Sequence, residues 1–256
     1  MAAYQGFDIN FDLSGKIAIV TGGARGIGNA IAKMYAEKGA SVVIFGKGDN
    51  VFSAAEEIGK GALAIKMDVS SLPDIDRAVA EVMERCGRID VLCNVAGVGS
   101  ETAAVDMTEA EWDRILNINL KGCFFLTKAV GAEMIRAGTG GKIINISSQA
   151  AILGMWGHVA YGASKAALLN MGKVLANEWS RYGININAIS PSLTRTPMAE
   201  IYWNGEKGEG FLQKMPIGRM AEPDEMAAVA VFLASDAANM ITGQNIVVDG
   251  GCTAVF

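Results

Sequence analysis

The sequence predicts a doubly wound α/β architecture, a seven-stranded parallel sheet with helices on both faces. Short apolar runs alternate with amphipathic helical stretches from Lys16 onward, the order that joins parallel strands through helical crossovers. Those runs are apolar at nearly every position, as strands covered on both faces require. A glycine-rich turn joins the first run to the first helix.

The first strand reads as 16–21, with Lys16-Ile-Ala-Ile-Val20 following Gly15. A helix at 26–38 comes next, because Ala30, Ile31, Met34 and Tyr35 recur at helical spacing. The second strand, 41–46, carries Val42-Val-Ile-Phe-Gly46, and a helix at 51–59 leads to a third strand at 62–67. The pattern continues with helix 73–86, strand 89–93, a long helix at 108–137, strand 142–147 and helix 160–182. Strand 184–190, helix 223–234 and strand 244–248 complete it. Residues 192–215 have no period and are interrupted by Pro197, Gly205, Gly208 and Gly210. They follow the sixth strand, at the carboxyl edge where ligands bind in such sheets, and read as a substrate lid or as an ordinary surface loop. No repeat, charge block or Pro/Ser-rich linker divides the chain, so one domain over 1–256 is expected.

A net charge of −5 argues against nucleic acid, and no basic run suggests a membrane surface. The longest uncharged segment, 143–164, contains Asn145, Ser147, Ser148, Gln149 and His158, too polar for a membrane span. The N-terminal stretch to Phe11 lacks positive charge and does not read as a secretory signal. Cys86, Cys93, Cys123 and Cys252 have neither metal-binding spacing nor disulfide density, which fits a reducing cytoplasm. With His158 the only histidine, no metal site is expected.

The turn Thr21-Gly-Gly-Ala-Arg-Gly-Ile-Gly28 spaces its glycines Gly22, Gly26 and Gly28 as G-x-x-x-G-x-G. Glycine lets the backbone turn tightly and approach a pyrophosphate, while the helix N-terminus offers free N–H groups and a positive dipole end. Tyr161 and Lys165 stand four apart and share a helix face. An ammonium beside a phenol favours the phenolate, which would make Tyr161 an acid/base near neutral pH. Ser148 follows the strand ending at Ser147, so its hydroxyl is expected level with the start of that helix. A serine hydrolase is disfavoured because no G-x-S-x-G elbow surrounds Ser148.

Together these elements resemble the short-chain dehydrogenase/reductase family, from Leu13 to the C-terminus. The resemblance rests on the glycine loop, Asp68-Val69, Asn94-Val-Ala-Gly97 and Asn119 within N-I-N-L-K-G. It extends through Ser148, Tyr161 and Lys165 to the segment from Pro191 to Met198 and the terminal D-G-G. It implies a Rossmann fold in which Tyr161 donates or accepts a proton and Lys165 holds the ribose and lowers the Tyr161 pKa. Ser148 would polarise the substrate oxygen, and Asn119 would help keep a proton-relay water. A nicotinamide cofactor would lie against Gly22, Arg25, Gly26, Ile27, Gly28, Gly46, Lys47, Asp68 and Val69. Its other contacts would be Asn94, Ala96, Gly97, Tyr161, Lys165, Pro191, Leu193 and Thr196. The resemblance also implies a homotetramer built on helices 108–137 and 160–182, with Ala129, Val130, Ala166, Leu169 and Val174 at the contacts.

Two positions depart from the family pattern. Ser192 replaces the glycine after Pro191, and the second strand ends in Gly46-Lys47 where an acid would bind the ribose 2′-hydroxyl. Lys47 and Arg25 instead offer positive charge, which favours NADP(H), with NAD(H) as the alternative. The strings S-Q-A, G-H-V-A-Y-G-A-S-K and W-N-G-E-K-G-E resemble the bacterial polyol dehydrogenases acting on glycerol, threitol and related sugar alcohols. Ser148, Gln149, His158 and Tyr161 would then face the substrate, since a buried hydroxyl needs partners. His158 reads equally as a structural histidine, and Trp203 either covers the substrate or packs.

Two rivals share the fold. A 3-oxoacyl-[acyl-carrier-protein] reductase would want a basic patch for its acidic partner, but Arg195, Lys207 and Lys214 are balanced by Glu200, Glu206 and Glu209. A non-catalytic cofactor-binding regulator would be expected to lose part of the Ser148–Tyr161–Lys165 set, which this chain keeps.

Overall fold

The strands are β1 (Ile17–Thr21), β2 (Ser41–Gly46), β3 (Leu63–Lys66), β4 (Val91–Asn94), β5 (Gly141–Ile146), β6 (Ile184–Pro191) and β7 (Asn245–Val248). All pair in parallel, in the order β3-β2-β1-β4-β5-β6-β7. The winding therefore reverses between β1 and β4, where Val20 stands opposite Cys93. A doubly wound sheet opens its ligand crevice at such a reversal, outside the carboxyl ends of the strands. The expected fold class is the observed one. This computed structural model describes residues 6–255. For residues 1–5 the expectation of no secretory signal lies outside the described residues.

Alternation along each strand fills two separate cores. Ala18, Val20, Val42 and Ile44 pack with α1 (Gly26–Glu37), α2 (Asn50–Ile58) and α9 (Pro223–Ala234). Ile19, Val43, Phe45 and Leu92 face the other way, toward α3 (Leu72–Cys86), α5 (Cys123–Ala137) and α6 (Val159–Trp179). Local signals set the helix ends. Ser71 caps α3 by accepting from the Asp74 N–H, Pro73 occupies its first turn, and Gly87 closes it with φ 75°. Glu222 and Glu225 form a reciprocal capping box at the start of α9. Among the described residues no helix is long and apolar enough to cross a membrane.

The structure refines three elements. The long helix expected at 108–137 is α4 (Glu109–Leu116), a π-helical turn (Asn117–Gly122) and α5 in succession. Gly122 lies against the loop after β3, where a Cβ would stand 2.1 Å from the Val69 carbonyl oxygen. The widened turn carries Asn119, fully buried, toward the crevice. Residues 192–215 hold two short helices, α7 (Pro197–Tyr202) and α8 (Gly205–Leu212). Thr196 caps α7 at the Ala199 N–H and Pro197 begins it, but three glycines hide the periodicity of α8. Helix α6 ends at Trp179 and continues as a 3₁₀ turn (Ser180–Tyr182) before Gly183. A last short helix, α10 (Cys252–Val255), follows β7.

Candidate active site

The glycine loop leaves β1 at the reversal point and enters α1 directly. Gly22 and Gly26 adopt φ 65° and 54°, which side chains rarely adopt. Each is also crowded from across the crevice. A Cβ on Gly22 would stand 3.3 Å from the Ala96 backbone, and one on Gly26 would stand 3.2 Å from Thr196 Cγ2. At Gly28 it would lie 2.4 Å from the Gly22 carbonyl oxygen. The loop, the end of β4 and the segment after β6 thus converge as the sequence pattern implies. Thr21, read only as part of the loop, fastens the arrangement by accepting from the N–H groups of Val95 and Ala96, each at 2.9 Å. Its signal in sequence was a hydroxyl residue closing an apolar strand, too common to single out.

This surface fits a dinucleotide. Bare backbone and the N-terminus of α1 face the space a pyrophosphate needs, and steric crowding explains why side chains are excluded. Gly28→Ala is expected to weaken cofactor binding at least about tenfold, because backbone cannot yield to the added methyl without opening the loop. Titration of the variant with NADH and NADPH checks this; unchanged affinity for both would show that the loop adapts.

The residues expected to do chemistry assemble at the carboxyl ends of β4 and β5. Lys165 is buried and donates to the Ile146 carbonyl at 2.8 Å. Ser147 donates to the Lys165 carbonyl at 2.8 Å and ties α6 to β5. Ser148 accepts from the Ala150 N–H at 3.1 Å, which orients its hydroxyl at the mouth of the sheet. Asn119 bonds both backbone groups of Val98, at 2.8 and 3.0 Å, and also donates to Ser164 at 3.1 Å. Ser164 in turn donates to the Tyr161 carbonyl at 2.7 Å. This chain from Asn119 to Tyr161 runs through Ser164, which sequence reasoning missed, since a serine bonding back within its own helix leaves no motif. A Cβ on Gly97 would lie 3.2 Å from Asn119 Oδ1 and 3.4 Å from Lys165 Nζ, so glycine keeps the approach to the ammonium open.

Electrostatics here correct one expectation. Burial lowers the Lys165 pKa to about 8. The Lys165 Nζ stands 5.8 Å from the Tyr161 ring centroid. Burial pushes the Tyr161 phenol above its usual value, and a hydrogen bond with Ser148 pulls against that rise. The expected lowering by Lys165 is therefore not observed. Its ammonium is directed at a carbonyl rather than at the phenol.

Residues 22–253 match the family described as enoyl-(acyl carrier protein) reductase, within the short-chain dehydrogenases/reductases. The chain is 44% identical to the NAD-dependent glycerol dehydrogenase of Listeria innocua, covering 98% of both chains. The D-threitol dehydrogenase of Mycolicibacterium smegmatis is also 44% identical, with 96% of each chain covered. The chain belongs to the short-chain dehydrogenase/reductase family. Among solved structures, a short-chain type dehydrogenase/reductase from Mycobacterium marinum superposes with a TM-score of 0.91 at 34% identity, covering 95% of this chain and 97% of that one. The protein is accordingly an NAD(P)-dependent oxidoreductase acting on an alcohol or ketone.

Directly after Ser148, Gln149 is buried and its Oε1 has no hydrogen-bond partner. Its amide nitrogen meets only the Met155 sulfur, at 3.8 Å. The His158 ring centroid lies 5.9 Å from that of Tyr161 and 6.2 Å from that of Trp203. His158 Nδ1 is 2.7 Å from the Trp156 carbonyl oxygen, and the ring borders a cavity of about 470 Å³ with Thr102, Leu153, Met155 and Trp156. Trp203 meets Phe211 edge-on, ring centroids 5.0 Å apart, and the Lys207 ammonium stands 4.3 Å over its ring. Lys207 also pairs with Glu101 on the loop after β4, and Tyr202 packs where a Gly99 side chain would sit. Glu101 and Gly99 were not legible beforehand, because their partners come from a segment without periodicity.

At the end of β2, a Cβ on Gly46 would meet Val51 at an ordinary contact distance of 3.4 Å. Lys47 is not the free cation expected from sequence. It bonds Asp68 at 2.7 Å, because β2 and β3 end side by side. Arg25 is exposed at the entry to α1. Asn94, the last residue of β4, turns inward and donates to Thr127 and to Asn145, each at 2.9 Å. Its side chain braces β4 against α5 and β5, while Asn94 Oδ1 is left without a partner.

Proposed function

We propose that the chain interconverts a secondary alcohol and its ketone in a small polyol or sugar alcohol, with NADP(H) as the favoured cofactor. The observation that carries the polyol reading is the buried, unpartnered Gln149 carbonyl oxygen directly after Ser148. An orphaned buried acceptor costs free energy, and a substrate hydroxyl donating to it would offset that cost. Similarity to a glycerol and a D-threitol dehydrogenase supports the same class.

In this reading the chain works as one catalytic unit with 192–215 as its lid. The cofactor, when bound, supplies or accepts the hydride. Tyr161 holds the proton exchanged with the substrate oxygen, and Ser148 donates to that oxygen and fixes its position. Lys165 would turn from the Ile146 carbonyl toward the ribose, bringing positive charge nearer to the phenol. Asn119 holds the Val98 backbone and Ser164 in place, and it would keep a relay water near Lys165. His158 borders the substrate. The test is a panel of small polyols and their ketoses assayed with both cofactors. Turnover confined to 3-oxoacyl thioesters would overturn the reading in favour of an acyl-carrier-protein reductase.

Assembly as a homotetramer through α4, α5 and α6 is part of the proposal. Val130 is withdrawn from the contact set, since it is fully buried in the chain's own core. Ala166 and Val174 are exposed along α6, with Trp112 partly so on α4. A second copy would cover this apolar surface. Sedimentation at micromolar concentration is expected to give a species of four chains, and a stable monomer would refute it.

A further inference from the structure

We propose that Asp68 restrains the preference for NADP(H) by competing with the 2′-phosphate for the Lys47 ammonium, an inference that rests on the cofactor reading above. The geometry brings the two residues together by strand pairing. Gly46 stands opposite Lys66, and the Met67 N–H bonds the Gly46 carbonyl at 2.9 Å, so residues 47 and 68 leave the sheet next to each other. The position after β2 is where this fold meets the ribose 2′ substituent. Lys47 therefore has two possible anions within its reach, a carboxylate of its own chain and the phosphate of one cofactor.

The two partners differ in freedom. Asp68 is fixed: its Oδ1 accepts from the Ser70 N–H at 2.9 Å and the Ser70 hydroxyl at 2.6 Å, and its own N–H donates to Asp74. Its Oδ2 alone meets Lys47. The Lys47 side chain is 79% exposed against 23% for Asp68, so the ammonium is the part that can swing. Of the other cations, Lys66 is paired with Asp49 and Arg77 lies along Asp74 and Glu81, while Arg25, exposed at the entry to α1, is the same in every protein of the test below. An exposed pair of this kind is weak, and a doubly charged phosphate can take the ammonium from it. The cost falls on NADP(H) alone, through the broken pair and the repulsion between phosphate and carboxylate. NAD(H) leaves the pair intact. Asp68 thus holds the chain near dual use of the cofactors, although no acid stands at residue 46.

Asp68→Asn tests this, because the amide oxygen keeps the Ser70 bonds while the amide nitrogen cannot hold an ammonium. Equilibrium binding of NADPH and NADH is read from nicotinamide fluorescence, without substrate, in wild type, Asp68→Asn, Lys47→Met and the double variant. Thermal melts confirm that each variant is folded. We expect Asp68→Asn to tighten NADPH about fivefold relative to NADH, and the double variant to erase that gain. Any change in a contact that Asp68 makes with the part common to both cofactors falls on both and cancels in the ratio. If Lys47→Met selectively weakens NADPH but Asp68→Asn leaves the ratio unchanged, the cofactor reading stands and the competition is refuted. If Lys47→Met alters both cofactors equally, Lys47 meets no phosphate and the competition is refuted; the cofactor reading then fails as well if wild type binds NADPH no more tightly than NADH.

Discussion

Tyr161→Phe is expected to lower kcat about a thousandfold, the scale of a lost general acid/base, while cofactor affinity stays within about twofold. The ring still packs beside His158, and only the hydroxyl is removed. The surroundings of Tyr161 add a pH signature. Burial holds the phenol above its ordinary value, so alcohol oxidation, which needs the phenolate, should climb with rising pH. Ketone reduction needs the phenol and should decline along the same limb. The checks are single-turnover rates and pH profiles in both directions, with NADPH titration as the control. Wild-type kcat in Tyr161→Phe would remove Tyr161 from the chemistry.

The fold was legible because it follows from local pattern. Apolar runs such as Val42–Phe45 and glycines at 22, 26 and 28 leave few alternatives to a doubly wound sheet. Tyr161, Lys165 and Ser148 were legible as types at a spacing, and the structure gathers them at one edge. What escaped the sequence was pairing between distant segments. That Lys47 is held by Asp68, that Glu101 meets Lys207, and that Ser164 links Asn119 to Tyr161 depend on which strand ends and loops become neighbours. Patterns with a period of two or 3.6 say nothing about such contacts. The direction of the Tyr161 shift was not legible for a related reason. Sequence supplied the charged neighbour but neither the depth of burial nor the Ile146 carbonyl that claims the ammonium.

Gly46→Asp is expected to invert cofactor preference, lowering the ratio of kcat/KM with NADP(H) to that with NAD(H) about a hundredfold. The backbone at Gly46 is not among the positive-φ positions, and a Cβ there meets Val51 at 3.4 Å, so the backbone accepts a side chain at this position. It acts twice. Its carboxylate accepts from the ribose 2′-hydroxyl of NAD(H), and it repels the phosphate that replaces that hydroxyl in NADP(H). It also gives Lys47 another anion besides Asp68, further reducing the positive charge offered to a phosphate. Gly46→Asn separates the two actions, since its amide can accept from the hydroxyl without repelling the phosphate. The asparagine variant should therefore gain with NAD(H) while losing little with NADP(H), and only the aspartate should produce the full inversion. The measurement is kcat/KM for both cofactors in the three proteins. If wild type already prefers NAD(H) and Gly46→Asp moves the ratio less than about twofold, no 2′-phosphate sits beside residue 46. The missing acid then marks relaxed selectivity, not a phosphate site.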